Sequence, residues 1–162
     1  MGNFQLPIRS GISSRNTIVI HLRVHTLAPD GPVLMLQQFL QPYFAYSGLL
    51  IVKDLVFNLT TVAMQKQYKL NAARILNKLG GIDDHNILFT LTAHSEDEHG
   101  DLTLGISRQK KTEVVSTVDT MLEVLLTPFE KITSKAMFIM FACGAIVNKP
   151  SSFKDFRDAI TR

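Results

Sequence analysis

The chain has 162 residues, 46% of them hydrophobic and 19% charged, which suits one folded domain with a buried core and excludes a disordered tail. Its 17 Lys and Arg against 14 Asp and Glu leave a net charge of +3, too little for a nucleic-acid-binding surface. A single cysteine, Cys143, excludes an internal disulfide framework and a cysteine-rich zinc site, and points to a reducing, cytoplasmic setting.

Residues 1–16 mix glycine, proline and serine without periodicity and read as an irregular lead-in, with residues 17–162 as a single domain. The amino terminus lacks the basic-then-apolar pattern of a secretory signal. From Thr17 to Val24 the chain is β-branched and then alternating, which predicts a strand buried on both faces. Pro29-Asp-Gly-Pro32 ends it and opens a short helix that carries Val33, Leu36, Phe39 and Leu40, with Asp30 or Gly31 as its cap. A second strand starts at Leu49 and extends towards Phe57. A longer helix then spans Thr61 to Leu79, with Leu70, Ala73, Leu76 and Leu79 as its apolar stripe and Gly80-Gly81 as its stop.

Ile87 to Ala93 is a third strand, followed by an acidic loop from Ser95 to Asp101 and a short extended piece from Leu102 to Ile106. Val114, Val118, Met121, Leu122 and Leu125 recur at helical spacing, and Pro128 is expected to end that helix. Ala136 to Ala142 is wholly apolar and reads as a fourth strand. The longest near-continuous apolar run, Met137 to Val147, is about half of a membrane span, so no membrane partner is expected. A last helix follows Lys149-Pro150. Strands and helices thus alternate, and the strands are apolar throughout. That pattern predicts an α/β three-layer sandwich, with a mainly parallel sheet of about four strands between helices.

Open parallel sheets place their sites beyond the carboxyl ends of the strands. The third strand ends in Ala93-His94 and the fourth in Ala142-Cys143-Gly144, and neighbouring strand ends lie ~4.8 Å apart. A thiol becomes a nucleophile as its thiolate, which a nearby imidazole generates by taking the proton. Backbone N–H groups at the turn after the cysteine strand would hold the oxyanion, Gly144 would let a scissile carbonyl approach the backbone, and Gly100 and Gly105 would let the histidine loop fold over the site. Taken singly, Cys143 reads as a small buried hydrophobe and His94 as a loop histidine. Their joint placement after two apolar strands, 49 residues apart, favours a pair.

These pieces, Ile87-Leu-Phe-Thr-Leu-Thr-Ala-His94 and Met137-Phe-Ile-Met-Phe-Ala-Cys143-Gly144, resemble the caspase-like clan of cysteine proteases, in particular its CHAT-domain branch. The wording of Thr92-Ala-His94-Ser and Phe141-Ala-Cys-Gly-Ala is similar to a group of fungal CHAT-like proteins. The resemblance implies a catalytic dyad of Cys143 and His94, a protein or peptide substrate and no cofactor or metal. Ser95 stands where the family has the glycine whose N–H helps hold the oxyanion, so the resemblance implies that role for the Ser95 N–H, and His99-Gly100 offers His99 as an alternative base. Only residues 147–162 follow the cysteine strand, so the chain matches the first half of such a domain and supplies no substrate pocket. The alternative is a catalytically inactive caspase-like module that associates with itself or with a partner chain completing the sheet.

Other features are weaker. Arg108-Gln-Lys-Lys111 reads as a solvated helix entrance. Asn58-Leu-Thr60 matches a glycosylation pattern that is idle without secretion. His21 and His25 share a strand face, with no carboxylate in sequence reach to complete a metal site. Leu27-Ala-Pro-Asp-Gly-Pro32 is no phosphate cradle, which disfavours nucleotide binding.

Overall fold

A computed structural model describes residues 16–29, 31–44, 49–80, 85–107, 109, 111–142 and 145–160. The expected lead-in therefore lies almost wholly outside the described residues, as do Asp30, Arg108, Lys110, Cys143 and Gly144. Four strands, β1 (Thr17–Val24), β2 (Leu50–Phe57), β3 (Asn86–Ala93) and β6 (Ala136–Ala142), form one parallel sheet in the order β2-β1-β3-β6. Helix α1 (Pro32–Leu40) joins β1 to β2, and α2 (Val62–Leu79) joins β2 to β3. The first step moves outward from β1 and the second moves back past it. Right-handed crossovers therefore put the two helices on opposite faces, the α/β sandwich expected from the alternation.

The two faces differ in chemistry. Ile18, Ile20, Leu22 and Val24 of β1 share one face with Leu55, Phe57, Phe89 and Leu91, and this face packs on α2 and on α3 (Val118–Leu126) as the main core. Phe89 meets Phe129 edge to face at 5.1 Å. The opposite face carries Val19 and Leu88 among polar residues that include His21, Arg23, Thr90 and Thr92, and Val33 is the one buried residue of α1.

Two expectations need correction. The stripe of α2 runs through Tyr68, Ala72, Ile75, Leu76 and Leu79, while Leu70 is 56% exposed and Ala73 is exposed. The helix turns this way because the Tyr68 hydroxyl donates to the Leu125 carbonyl at 2.7 Å, a bond that leaves the tyrosine buried. Val114 is not helical; it belongs to β5 (Glu113–Ser116), which pairs antiparallel with β4 (Leu102–Ile106). The α-helix does end ahead of Pro128: α3 stops at Leu126, because the proline lacks the N–H that would continue the ladder, and a 3-10 stretch, Thr127–Phe129, leads into α4 (Glu130–Thr133). Two helices close the chain, α5 (Ala145–Asn148) and α6 (Pro150–Ile160), and Phe156 of α6 packs on Phe138 with ring centroids 6.0 Å apart. Among the described residues no helix is long and apolar enough to cross a membrane.

Candidate active site

Parallel pairing of β3 with β6 ends at the register pair Ala93 and Ala142. His94 is the next residue after the first and Cys143 the next after the second, so the chain leaves both strands at the same end of the sheet. His94 is half-buried, and its carbonyl accepts from the Thr103 N–H at 2.9 Å. The Glu96 N–H donates to the Asp101 carbonyl at the same length, and the two bonds frame an antiparallel bridge between Ser95 and Leu102. Ser95 is buried, and among the described non-glycine residues only Lys111 has a positive φ. The serine therefore takes ordinary backbone geometry where the resembled family uses glycine.

The loop beyond it is held from inside and outside. Within the loop, the Glu96 carboxylate accepts the N–H groups of Glu98 at 2.8 Å, of His99, and of Asp101 at 3.5 Å. Glu96, Glu98 and His99 bring ligand atoms within 4.8 Å of one another, but both Glu96 oxygens serve these backbone donors, and the cluster staples the loop. The His99 side chain is 69% exposed, with Nδ1 3.4 Å from Glu96. From outside, the buried Ser152 of α6 donates its hydroxyl to the His99 carbonyl at 2.6 Å. A Cβ on Gly100, whose φ is +78°, would lie 3.1 Å from the Ser152 hydroxyl, so the contact needs glycine there. Helix α6 thus ties the histidine loop to the segment that follows the cysteine strand.

A second polar cluster lies lower on the α1 face of the same sheet. His21 of β1 stands opposite Asp54 of β2, and its Nδ1 is 3.0 Å from the carboxylate. Its Nε2 is 2.9 Å from the Thr92 hydroxyl of β3. Arg23 pairs with the other Asp54 oxygen at 2.6 Å and donates to the Leu27 carbonyl. Burial pushes the His21 pKa below the ordinary imidazole value; Asp54 opposes this and Arg23 reinforces it. The ring is neutral at pH 7. Because a carboxylate only accepts, Nδ1 carries the proton, and Nε2 accepts from Thr92. The buried Thr90 hydroxyl beside this chain has no hydrogen-bond partner among the described residues.

The carboxylate that sequence reasoning found missing near His21 is Asp54. It lies 33 residues along the chain and arrives through strand register alone. His25 lies beyond β1, and its Nε2 approaches the Asn58 amide at 3.4 Å, so the two histidines do not converge on one ligand. No protein-family model matches the sequence, and no curated protein matches it.

Proposed function

We propose that this chain is a cysteine-peptidase-type domain in which Cys143 is the nucleophile and His94 the general base and acid. The observation that carries the reading is the parallel, adjacent pairing of β3 and β6 with Ala93 opposite Ala142, one residue short of each group. In this mechanism the imidazole takes the thiol proton and the thiolate attacks a peptide carbonyl. Backbone N–H groups of Gly144 and Ser95 face the oxyanion. The C–N bond breaks as His94 returns the proton to the leaving amine, and water then hydrolyses the thioester, regenerating the thiol. His94 suits this role better than His99, whose side chain lies in solvent and pairs with Glu96.

A peptide bearing a thiol-directed acyloxymethyl ketone tests the proposal. Mass spectrometry should find it on Cys143 in the wild type and not in His94→Ala. Labelling that survives the loss of both His94 and His99 contradicts the dyad.

One observation favours the second reading, a non-catalytic association module. Among the described residues β6 is an edge strand, and Met137 and Ile139 on it are 65% and 37% exposed. That reading expects concentration-dependent sedimentation and a slow, ordinary thiol.

A further inference from the structure

The two faces of the sheet are covered unequally. Helices α2, α3 and α6 pack on the core face, whereas α1 is the one described helix on the other. Four strands side by side are about 19 Å wide and a helix with its side chains about 10 Å, so α1 leaves room for a second helix. Val19, Leu88 and Thr90 of this face are buried, but Met137 and Ile139, which share it through their register with Leu88 and Thr90, stand open on β6. Helix α1 also carries an outer ridge. Val33 is buried, while Leu34, Met35 and Phe39 are 44%, 73% and 68% exposed, and the exposed Tyr43 packs on Phe39 with ring centroids 6.0 Å apart. Ridge and open floor together present roughly 700 Å² of side-chain surface, more than the largest patch of an ordinary monomer and within the roughly 600–1,000 Å² that each partner of a stable pair buries.

We infer that this face docks a second copy of the chain, the outer ridge of each α1 seated on the open β6 floor of the other copy. Charge selects this occupant. Neither residues 31–52 nor residues 136–148 contain Asp, Glu, Lys, Arg or His, and the charged side chains that the strands place on this face, Arg23 and Asp54, pair with each other. A two-fold contact sets a patch against itself, so a net charge there would repel, and this patch has none. An anionic membrane would need cations at the contact, and a charged segment of another protein would need the opposite sign. Shape agrees with charge, because one molecule carries both a ridge and a gap one helix wide. Met35 and Phe39 stand about 6 Å apart along α1, and Met137 and Ile139 about 6.6 Å apart along β6, so ridge and floor mesh. The contact joins faces, unlike the strand-edge pairing of the association reading above, and it rests neither on that reading nor on peptidase activity.

The test is sedimentation equilibrium of the full chain over a wide concentration range. A monomer–dimer equilibrium is expected. Phe39→Glu and Met137→Lys, both at exposed positions where circular dichroism should report an unchanged fold, should each raise the dimer Kd at least about tenfold. The double variant Phe39→Glu/Met137→Lys should recover the dimer, because each introduced carboxylate then meets an introduced ammonium on the other copy, and the recovery should fade as salt rises. A wild-type chain that stays monomeric throughout overturns the proposal and leaves the face to a different protein. A dimer that Met137→Lys weakens and Phe39→Glu leaves intact also overturns it, by assigning association to the β6 edge. A double variant no tighter than the single ones overturns the reciprocal seating of α1 on β6.

Discussion

His21 couples three strands through two ring nitrogens, and its neutral form is the one the fold accepts. In the unfolded chain the same imidazole titrates near its ordinary value of about 6.5. Between that value and the lower folded one, the unfolded chain binds more protons, so stability rises with pH across this window. The contribution is complete above about pH 6.5 and is lost as pH falls towards the folded pKa. Urea unfolding from pH 7.5 to 5 should show this slope in the wild type, and His21→Gln should flatten it; an unchanged slope assigns the pH dependence elsewhere. A residue-scale constraint of a different kind sits at Gly105 in β4. Its φ is +140°, and a Cβ there would lie 2.8 Å from the Asn58 side-chain oxygen and 3.0 Å from His25. Gly105→Ala should therefore cost about 1–3 kcal/mol, read as a lower urea midpoint at constant m. A midpoint equal to the wild type would mean that Asn58 yields freely.

At the scale of elements, the strands were the most legible part of the sequence. β6 is a continuous apolar run, β1 and β3 are apolar and β-branched with polar residues only at alternate positions, and the expected limits Thr17–Val24 and Ala136–Ala142 match the observed ones. Misplaced features came where two periodicities compete. Val114 lies four residues before Val118 and so fits a helical stripe, yet it pairs across a hairpin whose partner strand is only five residues long. In α2 the inward face is set by a tyrosine whose hydroxyl finds a carbonyl on α3, and hydrophobicity alone does not rank that residue first. The brace between α6 and the histidine loop was equally illegible, because Ser152 is an ordinary helix residue until His99 is placed beside it. Ser152→Ala removes that hydrogen bond at a cost of about 1 kcal/mol. Its distinguishing effect is local: hydrogen exchange should accelerate across residues 96–101 while the core strands keep their protection. Uniform acceleration throughout the chain would reduce the brace to a general stability contact.

For the whole molecule, the order β2-β1-β3-β6 makes neighbours of two strands 43 residues apart in sequence, counted from Ala93 to Ala136. Residue order exposed the two reactive groups, one at the end of each strand. It did not show that these strands are adjacent, nor that Asp54, His21 and Thr92 form a polar chain, centred on the buried His21, across the face beside them. Register supplies both, and register follows from strand order, which no single segment encodes. The central claim is that the end of this sheet activates a thiol. Cys143 is the only cysteine, so the rate of iodoacetamide consumption reports on it alone. Measured against pH, the wild-type rate should reach half its plateau well below the ordinary thiol value of about 8.5, and His94→Ala should return the midpoint to about 8.5. A wild-type midpoint already near about 8.5, and unmoved by His94→Ala, would contradict the account.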